Sequence, residues 1–395
     1  MQKKRFLAIA FGAVVFTYGL SLVYAGPRAA SQRRHGTAAP AEENSPPFAS
    51  AVLIEAQTGQ VLFEQDAHKQ WPPASLTKMM LMLIVMEKVK QGAISLSEPI
   101  MVSAKASKIG GSQVYLKEGE SFPLEELMKA IVIHSANDAS EAVAERIGGS
   151  AEGFVDLMNQ RAQAMGLKDT HYANVHGLPP EKGQASDVAS AYDIALLARE
   201  LVKYPEILKW SSTPKELFRD GRFVLENTNH LIGRFPGADG LKTGSYHEAG
   251  FNLAATAQRD GLRLISVTLG SPRPRIRFSE GARLLSMGFN DYQLLTVMKA
   301  GAAVPQEVKI KGGEVSAISP VLARPAQVFV KRADAKEVKY SMQLNNQVWA
   351  PLKKGDKLGE LFVTLGNQQI GKFSLVSDHD ISQSNIFKRL WDRVF

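Results

Sequence analysis

From Ser75 to Met86 the chain reads Ser-Leu-Thr-Lys-Met-Met-Leu-Met-Leu-Ile-Val-Met, with Lys78 its only charged residue. A helix that is apolar around its whole circumference has to be enclosed on every side, so this segment dictates a fold that wraps around it. Pro72-Pro73 just before it suit a first helical turn, and the apolar pattern predicts a helix over Leu76 to Val89. Ser75 and Lys78 are three residues apart and so share a face, with the serine where free backbone N–H groups favour developing negative charge. A serine hydroxyl is a weak nucleophile until a base takes its proton. A lysine amine serves as that base only if burial and neighbouring cations keep it neutral.

Spacing alone does not make a site, because Ser-x-x-Lys arises by chance about once or twice in a chain this long. Ser212-Thr213-Pro214-Lys215 has the same spacing, but its proline and polar surroundings argue against a buried helical pair. What distinguishes Ser75 and Lys78 is the apolar helix behind them.

The 395 residues suffice for a large domain and a smaller one. Strand-like runs at Ser50 to Ile54 and Leu264 to Leu269, mixed with helical runs at Leu76 to Val89, Leu124 to Ile147 and Ala191 to Leu201, predict an α+β domain over 48–295. Gly59-Gln60 between Ala51-Val52-Leu53-Ile54 and Val61-Leu62-Phe63 predicts an opening antiparallel hairpin. Over 296–380 the texture becomes short alternating strands at Val308 to Lys311, Val328 to Lys331, Val338 to Met342 and Leu361 to Leu365. Gly312-Gly313, Gly355-Asp356 and Gly366-Asn367 break them, predicting a small β-sandwich or barrel. That region has no cluster of reactive groups, so it is expected to space or dock the domain that precedes it.

The net charge is +8, but Lys3, Lys4, Arg5, Arg28, Arg33 and Arg34 precede any acidic residue, which leaves about +2 for Ala41 to Phe395. Without a concentrated basic face, nucleic acid is excluded as a partner. Lys3-Lys4-Arg5, the apolar stretch Phe6 to Leu22 and Val23-Tyr24-Ala25-Gly26 read as a secretory signal over 1–25, cleaved after Ala25, with an uncleaved anchor as the alternative. Residues 26–47 are rich in Ala, Pro, Ser, Arg and Gln and read as a disordered linker. At the other end, Ile386, Phe387, Leu390, Trp391, Val394 and Phe395 form one helical stripe opposite Lys388, Arg389, Asp392 and Arg393. A terminal amphipathic helix over 381–395, lying on a membrane surface, is expected. The chain has no cysteine, which removes thiol catalysis and thiolate metal sites. His171, His176, His230 and His247 match no common zinc spacing, and no metal or cofactor is implied.

Two further motifs follow Ser75 in order. Ser135-Ala136-Asn137 places a hydroxyl and an amide within an apolar helical run. Leu241-Lys242-Thr243-Gly244-Ser245 precedes a strand at Gly250 to Thr256, so that a lysine and a hydroxyl would line one strand edge and Gly244 would let an extended peptide approach closely. With Ser75-Leu76-Thr77-Lys78, this triple signature resembles the low-molecular-mass penicillin-binding proteins, which are serine D-alanyl-D-alanine carboxypeptidases. The resemblance extends to Asn137-Asp138-Ala139, Asn174-Val175-His176-Gly177-Leu178-Pro179 and Arg275-Ile276-Arg277-Phe278. It covers about Phe48 to Phe289, and more loosely the β-rich region.

The resemblance implies a β-lactamase/transpeptidase-like catalytic domain at the periplasmic face of the inner membrane, acting on peptidoglycan peptide side chains and inhibited covalently by β-lactam antibiotics. Ser75 would form the acyl-enzyme, Lys78 would take its proton, and Ser135 would pass a proton to the departing D-alanine. Asn137 would hold Lys78 and a substrate carbonyl, Lys242 would keep Lys78 neutral, and Thr243 and Arg277 would bind the terminal carboxylate. The backbone N–H groups of Ser75 and Ser245, beside Gly244, would form the oxyanion hole. Three departures from the family pattern stand out: Ser245-Tyr246-His247 after Lys-Thr-Gly, His134 before Ser135, and Ser186-Asp187 where relatives have Ser or Thr before Ala. Ser103 to Phe122, with Gly110-Gly111-Ser112, reads as a mobile flap or an ordinary surface loop. A class A-like β-lactamase, a DD-endopeptidase and a catalytically idle binder are the alternatives. The first would need a deacylating Glu-x-x-x-Asn element, which is not seen after Ser135.

Overall fold

The computed structural model describes residues 47–180 and 182–385. The expected signal segment, the linker up to residue 46 and the stripe from Ile386 to Phe395 lie outside the described residues. Among the described residues no helix is long and apolar enough to cross a membrane.

A five-stranded antiparallel sheet forms the centre of the first domain, in the spatial order Val61–Gln65, Ser50–Glu55, Leu262–Ser271, Gly250–Arg259, Ala238–Tyr246. The opening hairpin forms as expected, with Gly59 at φ +79° in its turn. The strand Ser50–Glu55 is buried along its whole length. Alternation along a strand sends neighbouring side chains to opposite faces. Thus Val52 and Ile54 join Ile265, Val267 and Leu269 in one core, whereas Ala51 and Leu53 join Leu262 and Leu264 in a second.

Helix α1 (Lys78–Lys90) fills the first core. Met79 to Val85 are buried without interruption, packed among α3 (Asn137–Gly148), α4 (Ala151–Ala164) and α5 (Ala191–Leu201). This enclosure explains why its sequence shows no polar stripe until Glu87. On the other face of the sheet, α7 (Pro274–Asp291) contributes Leu284, Leu285 and Phe289 to the second core. Two short helices, α2 (Leu124–Lys129) and α6 (Pro205–Ser211), flank the helical lobe.

Two expected helices are modified. The run from Leu124 to Ile147 does not form one helix: α2 passes into a π-helical turn, Ala130–His134, and Ser135 then adopts φ +67°, ψ +30° before α3 begins. Residues 381–385 are extended rather than helical, because Ile381 and Gln383 bridge to Leu352 and Gly313. The expected terminal helix therefore does not start at 381.

The C-terminal domain is built of short strands around two small cores. Its longest hairpin is Lys357–Leu365 with Gln368–Val376, flanked by Val338–Leu344 and Val321–Leu322. The strand Tyr292–Met298 pairs with Ala326–Lys331, and Tyr292, Leu294 and Phe329 pack against the second core of the first domain.

Because Lys78 to Met86 of α1 have no solvent face, trimming this stretch leaves a void. Leu83→Ala is expected to lower stability by about 2 to 5 kcal/mol. Chemical denaturation would check this, and a loss below about 1 kcal/mol would contradict the enclosure.

Candidate active site

The lower end of α1 carries the reactive pair. A 3-10 turn, Ala74–Thr77, leads into α1, so Ser75 stands half-buried at the mouth of the core and Lys78 is completely enclosed as the first residue of the helix. Lys78 Nζ lies 3.0 Å from Ser75 Oγ and donates to the His176 carbonyl at 2.5 Å. Burial, and then the charge of Lys242, push the Lys78 pKa well below its ordinary value, with Asp187 and Asp138 pulling the other way. The shift is toward the neutral amine, the form a serine-activating base requires.

Lys242, Thr243 and Gly244 lie on the edge strand Ala238–Tyr246. Lys242 is buried and donates to the Thr243 carbonyl at 3.1 Å; burial and then Arg277 lower its pKa to about 7. Thr243 Oγ1 donates to Thr228 Oγ1 at 2.8 Å, and the Thr228 N–H donates to the Ile133 carbonyl. The strand is thereby anchored to the π-helical turn of the opposite lobe. Arg277, on α7, approaches from behind the strand, donating to the Gly244 and Asn252 carbonyls at 3.2 and 3.4 Å. Its Nε is buried without a partner, and burial lowers its pKa to about 10. Ser245 is exposed at the end of the motif.

Gly244 is needed for a reason other than room for a bound peptide. A Cβ there would stand 2.7 Å from the Pro73 carbonyl oxygen and 2.8 Å from the Ser75 nitrogen. The chain's own serine turn, not only a ligand, occupies that space.

Ser135 is 4% exposed, and its left-handed backbone is strained for a residue other than glycine. Helix α3 then starts at Asn137. The Asn137 side chain does not hold Lys78 in this structure. Its Nδ2 donates to the Gly110 carbonyl at 2.7 Å, and the His176 carbonyl takes the Lys78 hydrogen bond instead. Asn137 Oδ1 is buried without a partner, which leaves an acceptor to spare.

The segment 103–122 is fastened to this motif. Ser112 accepts from the Asn137 N–H, and the Asp138 carboxylate accepts from the N–H groups of Val114 and Leu116. Arg219 grips Glu120 with both nitrogens and donates to the Tyr115 carbonyl. These ties argue against a free flap. His134 stacks edge-on against Phe223 at 5.4 Å and belongs to that packing. The look-alike pair is dispersed: Ser212 caps α6, and Lys215 pairs with Glu226 at 2.6 Å.

Three contributors were not assigned a role from sequence. His176 acts through its main-chain carbonyl, and a carbonyl has no residue signature. Thr228 works through a contact 15 residues away in the chain. Asp187 is a buried carboxylate bonded to Thr77 Oγ1 at 2.7 Å; its only sequence signal was its departure from the family pattern.

The sequence and the fold are similar to those of known proteins. The family described as D-alanyl-D-alanine carboxypeptidase matches residues 37–273, and the one described as penicillin-binding protein 5, C-terminal domain, matches 292–383. D-alanyl-D-alanine carboxypeptidase DacF of Bacillus subtilis is 37% identical over 339 residues, covering 85% of this chain and 86% of its own. Among solved structures, a peptidoglycan synthesis regulatory factor (PBP3) of Streptococcus pneumoniae superposes with a TM-score of 0.72 at 27% identity, covering 86% of this chain and 100% of that one. Penicillin-binding protein D2 of Listeria monocytogenes in its ampicillin-bound form gives 0.57 at 31% identity, over 62% and 98% of the two chains. The chain is a serine hydrolase belonging to the D-alanyl-D-alanine carboxypeptidase family.

Gly244→Ala is expected to drive the Pro73–Leu76 turn off the strand and lengthen the 3.0 Å contact between Lys78 and Ser75. A crystal structure of the variant in which both stay unchanged would refute this.

Proposed function

We propose that this enzyme removes the terminal D-alanine from peptidoglycan pentapeptides through an acyl-enzyme on Ser75. The observation that carries the reading is the 3.0 Å approach of a completely buried Lys78 to the Ser75 hydroxyl. Neutral Lys78 takes the hydroxyl proton as Oγ attacks the scissile carbonyl. The proton then passes by way of Ser135 to the nitrogen of the departing D-alanine, and water later releases the shortened peptide. The Ser75 and Ser245 N–H groups face the developing oxyanion. Asn137 retains one amide hydrogen and the free Oδ1 for the substrate backbone. Thr243 meets the terminal carboxylate, while Lys242 and Arg277 supply positive potential beside and behind it.

The same chemistry accounts for β-lactams as covalent inhibitors. Among the described residues no carboxylate hydrogen-bonds Ser75 or Lys78; Asp138 and Asp187 are engaged by backbone N–H groups and Thr77. This supports slow hydrolysis of the drug adduct and weighs against a class A-like β-lactamase. In the full chain, 1–25 directs export, 26–47 is a tether, 48–295 is catalytic, 296–380 is a spacer, and the apolar stripe of 386–395 holds the enzyme to the outer face of the inner membrane. The composition of those segments supports this arrangement.

Ser75→Ala should abolish both fluorescent penicillin labelling and D-alanine release; either activity persisting in the folded variant would end the assignment. Lys242→Gln removes positive charge near Lys78, which makes the Lys78 ammonium easier to keep. The acid limb of the acylation rate is therefore expected at higher pH, with a rate at neutral pH lower by about 10²-fold. Stopped-flow acylation across pH would show an unmoved limb if Lys242 had no such role.

A further inference from the structure

We propose that Asp187 is a positioning residue for acyl transfer: its carboxylate ties the Ser75–Lys78 turn to the loop carrying the His176 carbonyl, and opposes the field of Lys242 at Lys78. The proposal rests on reading Ser75 and Lys78 as nucleophile and base.

The carboxylate is 4% exposed and has three donors. Oδ2 accepts from Thr77 Oγ1 at 2.7 Å, and Oδ1 accepts from the N–H groups of Ala173 and Asn174 at 2.6 and 3.1 Å. Asn174 Oδ1 in turn accepts from the N–H groups of His176 and Gly177 at 3.1 and 2.6 Å. One carboxylate and one amide thus shape the turn that presents the His176 carbonyl to Lys78 Nζ. Thr77, completely buried and adjacent to Lys78, is the tie on the helix side.

An apolar residue facing a valine at position 77 would fill such a spot without the cost of burying charge. The acid is held in place by its three donors, although burial pushes its pKa up. Lys78 is faced by Lys242 from the edge strand, Asp138 from α3, His176 from the loop and Asp187 from the segment before α5. His176 is kept neutral, its pKa drawn down by burial to about 3, so Asp187 and Asp138 are the groups that oppose Lys242. Both Asp187 oxygens are occupied by donors, which suits holding and charge balance rather than water activation.

Two substitutions in the full-length protein separate the roles. Asp187→Asn keeps the shape and can keep the hydrogen bonds, since the Thr77 hydroxyl can accept instead of donate. It removes only the charge, so Lys78 loses a group that stabilises its ammonium. The acid limb of penicillin acylation is expected to move to lower pH by about half a unit or more. Thr77→Val leaves the carboxyl group in place but cuts the tie, and the plateau rate falls by roughly tenfold or more. A folded Asp187→Asn protein with an unmoved limb overturns the proposal, and so does Thr77→Val at the wild-type plateau. Should Asp187→Asn not fold, Thr77→Val decides. Failure of the underlying reading would look different: wild-type protein that penicillin labels at no pH.

Discussion

An amine with no access to water has to give up its proton or find a partner for its charge, and the catalytic domain is organised around that requirement at Lys78. Helix α1 supplies the enclosure. Every neighbour of Lys78 on the helix from Met79 to Val85 is buried, so the core that stabilises the domain also depresses the lysine's proton affinity. Stability and reactivity therefore draw on the same packing.

The rest of the site holds groups at the edge of that core without filling it. The edge strand brings Lys242 to one side and lays Gly244 against the serine turn at distances no side chain tolerates. The opposite lobe supplies Ser135 through a π-helical turn and a left-handed residue, local irregularities of a kind found where a fold aims a functional group. Thr228 fastens the two lobes where the strand passes the turn. Backbone groups do as much as side chains: the His176 carbonyl fixes Lys78, and the Gly110 carbonyl fixes Asn137.

That division explains what the sequence could convey. The apolar circumference of 79–86, the alternation in 50–54 and the glycine-punctuated strands after 300 report burial, which periodicity encodes directly, so both domains were legible. Ser75, Lys78, Ser135, Asn137, Lys242 and Thr243 were recognisable because chemistry restricts residue type. The break at Ser135 was not, since Ile131 to Ala139 has ordinary helical composition and the irregularity comes from tertiary ties to Ser112 and Thr228. The partner of Lys78 was misassigned to Asn137 because a carbonyl acceptor can come from any residue. Asp187 stood out as an exception, and only its contacts with Thr77 and the 173–174 backbone give it meaning.

The central claim is that Lys78 is uncharged when it meets Ser75. NMR titration of ¹³Cε-labelled lysine in the full-length protein, with the Lys78 signal assigned by its loss in Lys78→Arg, measures this directly. The account predicts a Lys78 resonance that titrates well below the ordinary lysine value of 10.5. A resonance that stays in the ammonium position up to that value would contradict it.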